Sequence, residues 1–148
     1  MIRPARRDDA PAFLALIQAL ADFEKLPGPD AAARERLVED AFGARPRYEV
    51  FVAEVDGQVS AYAIFFHTYS TFRARPTLFL EDLFVHPRAR RRGVAKAMLA
   101  RLRALAEERG CGRFEWMVLD WNVDAQKLYD GVGAKMLHDW RLYRTDLP

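Results

Sequence analysis

Leu78-Phe79-Leu80-Glu81-Asp82-Leu83-Phe84-Val85, followed after His86-Pro87 by Arg88-Ala89-Arg90-Arg91-Arg92-Gly93-Val94-Ala95-Lys96, is the stretch on which the fold turns. Its first half is a nearly continuous apolar run of strand length, as expected of a central strand covered on both faces. Pro87 ends the run, and from about Gly93 to Arg109 the period becomes helical, with Val94, Met98, Leu102 and Leu105 on one apolar face. Phe114 to Leu119 then reads as another strand. A strand-helix-strand unit of this kind is expected to be parallel and right-handed.

The neighbouring segments extend the pattern. Upstream, Tyr48 to Val55 and Val59 to His67 read as an antiparallel pair joined by a tight Asp56-Gly57 turn, with a loop predicted from Tyr69 to Thr77. Ile2 to Pro4 reads as a short edge strand. Asp8 or Asp9 can cap a helix carrying Phe13, Leu16, Ile17 and Leu20, stopped by Pro27-Gly28-Pro29. A second helix is predicted from about Asp30 to Phe42, ending at Gly43. Downstream, a short helix covers about Val123 to Asp130, and Leu137 to Tyr143 reads as a last strand. The expected fold is a single α/β domain over residues 1–148. Its sheet is mixed and mostly antiparallel, flanked by helices, with one parallel strand-helix-strand unit.

Composition bounds the function. In 148 residues, 51% are hydrophobic, enough for one sizeable core. Lys and Arg number 23 against 21 Asp and Glu, a net charge of +2, which gives no general case for a nucleic-acid or membrane partner. A lone cysteine, Cys111, fits a reducing compartment and precludes an internal disulfide. The basic start, Met1 to Arg7, is followed by no apolar stretch of signal-peptide kind, and no window approaches a membrane span. A cytoplasmic protein is expected. No His, Cys and carboxylate spacing suggests a metal site.

Three features carry chemistry. Glu81 and Asp82 lie mid-strand, and strand alternation sends them to opposite faces. A buried carboxylate is either paired, here with one of the many arginines, or kept for a task. Arg88 to Lys96 then lies at a strand-to-helix junction, where unpaired N–H groups and the helix dipole favour an anion such as phosphate. Gly93 would let the backbone approach that anion, and small Ala95 would keep the next turn open. The same run also reads as a solvated basic turn or a nucleic-acid patch. The third feature, Asp120-Trp121-Asn122 to Tyr129, leaves the carboxyl end of the neighbouring strand, where open α/β sheets bind ligands. Asn122 could equally be a helix cap, and Tyr129 a core aromatic.

Together these features resemble a known family. Arg90-Arg91-Arg92-Gly93-Val94-Ala95 fits the Arg/Gln-x-x-Gly-x-Gly/Ala acetyl-coenzyme A signature of the GNAT superfamily of N-acetyltransferases. Leu37 to Gly43, Leu80 to Val85, Trp121-Asn122 and Tyr129 extend the likeness. With Ile2-Arg3-Pro4-Ala5 and Trp140-Arg141-Leu142-Tyr143, the chain looks like the diamine (spermidine/spermine) and thialysine branch over nearly its whole length. Arg91 stands where that branch often has glycine, and Phe72 where it often has tryptophan.

The resemblance implies an acetyl-CoA donor and a direct attack by the amine of a small cationic acceptor, such as a diamine, polyamine or thialysine-like amino acid. It assigns Glu81 as the base, through water, and Tyr129 as the acid. The cofactor would meet the strand at Leu83, Phe84 and Val85, the loop at Arg90 to Lys96, and Asn122 and Tyr129. Its pantetheine arm would lie between strands 80–86 and 114–119. Glu39, Asp40, Phe72, Glu81, Asp82, Asp120 and Trp121 would serve the acceptor side. A homodimer is the form expected from the same branch. A protein or peptide acetyltransferase, or an acyl-CoA-binding sensor without turnover, are the competing readings.

Overall fold

The computed structural model describes residues 1–148, which divide into two compact units, Met1–Met117 and Val118–Pro148. The first unit holds strand β1 (Ile2–Pro4), helices α1 (Ala10–Phe23) and α2 (Ala31–Phe42), and strands β2 (Glu49–Val55), β3 (Gln58–Ser70) and β4 (Arg75–Val85). Helix α3 (Val94–Glu108) and strand β5 (Arg113–Trp116) complete it. The five strands form one sheet in chain order, β1-β2-β3-β4-β5. The first three pairings are antiparallel and β4–β5 is parallel, as a helical crossover requires.

Strand alternation builds two apolar layers. Val50, Val52, Tyr62, Ile64 and Phe84 pack with Phe13 and Leu16 of α1. The alternate positions Phe51 and Phe65 meet edge to face at 5.1 Å, and Arg101 of α3 and Arg109, just past its end, lie over their rings. Met98, Leu99, Leu102, Leu105 and Ala106 form the buried stripe of α3. Burying each of the Met and Leu side chains contributes roughly 1.5–3 kcal/mol, so the helical period of the stripe is what docks α3.

The helix starts have local causes. Asp30 caps α2, its carboxylate accepting from the Ala33 N–H at 2.8 Å. Asp9 stands at the N-cap of α1 but does not cap it. Its carboxylate accepts from the Arg6 N–H at 2.7 Å and from Arg3 at 2.8 and 2.9 Å, a stronger, charge-assisted alternative.

Three sequence expectations need correction. The predicted loop from Tyr69 to Thr77 shrinks to Thr71–Ala74, because the β3–β4 ladder continues through Thr68↔Thr77, Tyr69↔Pro76 and Ser70↔Arg75. Pro76 sits near the strand end, where its carbonyl accepts from the Gly112 N–H at 2.9 Å. The strand predicted over 114–119 is observed over Arg113–Trp116. The Leu119 carbonyl instead serves the turn, accepting from the Asn122 N–H.

The second unit contains helix α4 (Val123–Gly131). The strand predicted over Leu137–Tyr143 is absent, and residues 134–148 adopt neither helix nor strand. Leu137, Trp140, Leu142 and Tyr143 are all exposed. Alternating apolar residues fit a strand, but only a neighbouring ladder makes one.

Candidate active site

The β3–β4 ladder holds a surplus residue. Ile64 pairs with Asp82 and the next position, Phe65, with Leu80, so Glu81 has no cross-strand partner. The bulge leaves Glu81 exposed and Asp82 half-buried. The parallel ladder to β5 ends at Leu80↔Trp116, so from Glu81 to Val85 strand β4 is paired on one edge only. Leu83, Phe84 and Val85 lie on this single-edged part of β4.

Asp82 has no ion-pair partner. The fully buried Tyr62 donates its phenol to Asp82 Oδ2 at 3.4 Å. Burial, then the negative charges of Glu81 and Glu24, push the Asp82 carboxyl up to about 6, while the Tyr62 hydrogen bond works the other way. Tyr62 is held above its ordinary range by burial and then by Asp82. Tyr48 is pushed up to about 12, by burial and then by Asp40 and Asp82. Its hydroxyl donates to the Leu37 carbonyl at 2.5 Å. Glu24 and Asp82 act electrostatically on Tyr62, and Asp40 and Asp82 on Tyr48, an acidic wall of charge about two neutral phenols.

Of the expected acceptor-side acids, Asp82 and Asp40 lie on this wall, with Asp40 also 3.4 Å from Arg47. Glu39 forms an exposed pair with Arg7 at 3.7 Å. Phe72 lies in the β3–β4 turn, 98% exposed. Sequence reasoning missed Glu24. It follows the last residue of α1, and only the packing of that helix on the sheet brings it to Asp82.

The loop before α3 is built from left-handed backbone. Arg91 has φ 59° and Gly93 φ 76°, and no side chain caps Gly93 at the helix N-terminus. The first N–H groups of α3 are therefore open to an anion, and alternating left-handed residues aim successive donors into one concavity. A Cβ at Gly93 would meet nothing within 4 Å, so φ rather than crowding requires glycine in the free chain. A phosphate fits this seat, since the one carboxylate in the loop's ion pairs, Asp56, is neutralised by Arg92 at 2.6 and 3.2 Å.

Three of the arginines in this stretch are engaged by the protein itself. Arg88 donates to the Val59 carbonyl and the Ser60 hydroxyl at 3.3 and 3.4 Å. Arg90 donates from Nε to the Val85 carbonyl at 3.0 Å and lies over the rings of Phe23 and Phe84. Arg92 is taken by Asp56. Arg91 and Lys96 are exposed, and Val94 and Ala95 are half-buried in the first turn.

In the second unit, Asn122 caps α4, its side-chain oxygen accepting from the Ala125 N–H at 3.2 Å. Gln126 Nε2 donates to the carbonyls of Leu119 and Asp120. Trp121 is half-exposed, and burial holds the Tyr129 phenol above its ordinary value, so it keeps its proton at neutral pH.

A mixed sheet whose parallel seam opens, followed by a helix with a bare N-terminus, is a frame for a phosphate-bearing ligand. Residues 13–134 match the Acetyltransferase (GNAT) family. The chain belongs to that family and is an acetyl-CoA-dependent N-acetyltransferase. It is 34% identical to the thialysine N-epsilon-acetyltransferase of Bos taurus, over 99% of this chain and 92% of that protein. It is 28% identical to the L-ornithine N5-acetyltransferase NATA1 of Arabidopsis thaliana, over 97% and 82%. Among solved structures, AAC(6')-Iy in complex with the bisubstrate analog CoA-S-monomethyl-acetylneamine superposes with a TM-score of 0.81 at 25% identity, over 99% of this chain and 98% of that one.

Proposed function

We propose that the acceptor is the primary amine of a small, flexible cation carrying a second charged group, thialysine-like or a diamine, with residues 1–148 acting as one catalytic domain. The observation that carries this reading is Asp82 beside the β4 bulge, half-buried, bonded to the Tyr62 hydroxyl and without a cation partner, with Glu24 and Asp40 adding negative charge around it and its neighbour Tyr48. Anionic side chains around a cleft capture and orient a cation. The names of the two relatives support it, since both act on amino acids with a far amine.

Acetyl-CoA, when bound, supplies the thioester carbonyl that the amine attacks. Its phosphates would be held by the backbone of residues 90 to 95, which fits the uncapped start of α3. An alkylammonium has a pKa of about 10, so a proton must leave before attack. Glu81, raised out of the ladder by the bulge, accepts it through water. The N–H groups on the single-edged part of β4 are the donors available to the carbonyl oxygen as it gains charge. Tyr129, protonated at neutral pH, supplies the proton the departing sulfur requires. Holding two substrates in line contributes the rest.

The same reading includes a homodimer, which would cover large exposed apolar side chains such as Trp140, Tyr143 and Phe72. Light scattering giving the mass of one chain would remove it. The half-buried free thiol of Cys111 supports a reducing compartment such as the cytoplasm.

The central experiment compares kcat/KM for thialysine, lysine, putrescine, spermidine and a lysine peptide. The small amines should lead, and the rate should rise toward alkaline pH as the amine loses its proton. A peptide that wins by about ten-fold over every small amine would mark a protein-acetylating enzyme instead. On the best acceptor, Tyr129→Phe should lower kcat by ~10²-fold or more while acetyl-CoA binding holds. A kcat within about two-fold of wild type would place the acid elsewhere.

A further inference from the structure

Arg90 opens the Arg-x-x-Gly-x-Ala loop, yet its side chain is engaged by the protein itself. Its guanidinium carbon lies 5.3 Å from the centroid of the Phe23 ring and 5.6 Å from that of Phe84. Its Nε donates to the Val85 carbonyl at 3.0 Å. The side chain therefore bridges the last residue of α1, the core of β4 and the end of that strand. Both ring distances fall within cation–π range.

The backbone of Arg90 makes this bridge consequential. It is extended, at φ −69° and ψ 163°, between the short 3-10 turn Pro87–Ala89 and the left-handed Arg91. It is the joint from which the left-handed run departs. No side chain caps the helix beyond it, and the other side-chain fastenings of the loop are Arg92 on Asp56 and Arg88 on Val59 and Ser60, none of which reaches α1. Phe84 is 5% exposed and fixed by the core. Phe23 is 43% exposed, and it is the side of the sandwich that α1 brings in from outside.

We propose that Phe23 is a positioning residue for the acetyl donor: its ring holds Arg90, and Arg90 holds the loop backbone in the shape that receives the pyrophosphate. The inference rests on the proposed seat of the pyrophosphate at residues 90 to 95. A loop that spends part of its time in other shapes binds more weakly by the fraction that is competent. Glu24 follows Phe23 directly, so one helix end serves the acceptor wall with one residue and the donor loop with the other.

Calorimetric titration with acetyl-CoA, in the absence of any amine, separates this role from acceptor binding. Phe23→Leu, which covers Arg90 but offers no π face, should raise Kd about three- to fivefold. Phe23→Tyr and Phe23→Trp should stay within about two-fold of wild type. Arg90→Lys should weaken binding to a similar degree without touching α1, and Phe23→Leu should add little on top of it. Unchanged or tighter binding in Phe23→Leu, or effects that simply add, would overturn the proposal. Gly93→Val, strained by its left-handed φ, reports on the seat itself and should weaken binding at least ~10-fold. Normal affinity in folded Gly93→Val would refute the seat. A weakened Gly93→Val beside an unaffected Phe23→Leu would refute only the role of Phe23.

Discussion

Two groups of carboxylates sit in the first unit, and they differ in what answers them. Asp9 and Glu54 share Arg3, which donates to Asp9 at 2.8 and 2.9 Å and to Glu54 at 2.9 and 2.5 Å. The guanidinium holds the Asp9 carboxyl below the usual range. The cluster ties β1 to β2 and to the start of α1. Asp82 and Glu24 are also drawn together by the fold, but no cation joins them, and the Asp82 carboxyl moves the opposite way. One arginine turns a carboxylate cluster into a fastening. Without it, the same chemistry leaves negative charge for a ligand to meet.

The sharpest break of this comparison is Asp82→Asn. At pH 7.5 it should lower kcat/KM for the best amine by about 30- to 100-fold, with acetyl-CoA affinity kept within about two-fold. Wild type should gain kcat/KM as pH rises through about 6, where Asp82 ionises, and the variant should lack that limb. Retention of both rate and limb would make Asp82 a bystander.

Arg3→Met tests the other cluster. It leaves two carboxylates without their partner in a part-buried place and should cost about 2–4 kcal/mol in urea unfolding, with kcat of the folded enzyme unchanged. The Asp9 pKa is lowered on folding, so its share is complete above the usual 3.8 and lost as pH falls through the lower folded value. Wild type and variant should therefore converge in strong acid. A large loss of kcat instead would merge the two clusters into one functional network.

The smallest effect has the opposite sign. The Asp82 pKa is raised from 3.8 to about 6 on folding, so the native state holds that proton more tightly than the unfolded chain. Stability falls as pH rises through this window and stays lower above it. Asp82→Asn should therefore be more stable than wild type at pH 7.5, by on the order of 1–2 kcal/mol, read as a higher Tm. A lower Tm would show that Tyr62 and its neighbours depend on the carboxylate.

Much of the frame was legible because periodicity and turn chemistry are local. The stripe of α3, the Asp56-Gly57 hairpin and the Asn122 cap all follow from residues a few positions apart. The strand over 137–143 failed for the converse reason, since a strand is a relation to another strand. The bulge left no mark in residue types, because Glu81 fits the run whether or not it is paired. Glu24 beside Asp82, and Phe23 over Arg90, come from where α1 lands on the sheet. The arginine cluster was legible in part. Its charge is visible in the sequence, but whether each guanidinium faces outward or into its own chain is decided by tertiary neighbours such as Asp56 and Ser60.

The count across the β3–β4 ladder carries a last implication. Residues 75–85 of β4 lie against residues 61–70 of β3, eleven against ten, and Glu81 is the residue left over. A position outside the register can change without breaking a cross-strand pair. The enzyme's proposed base therefore rides where the sheet is indifferent to side-chain identity. A lineage can exchange the chemistry at that point while inheriting the architecture intact, which leaves room for new acceptors without a new fold.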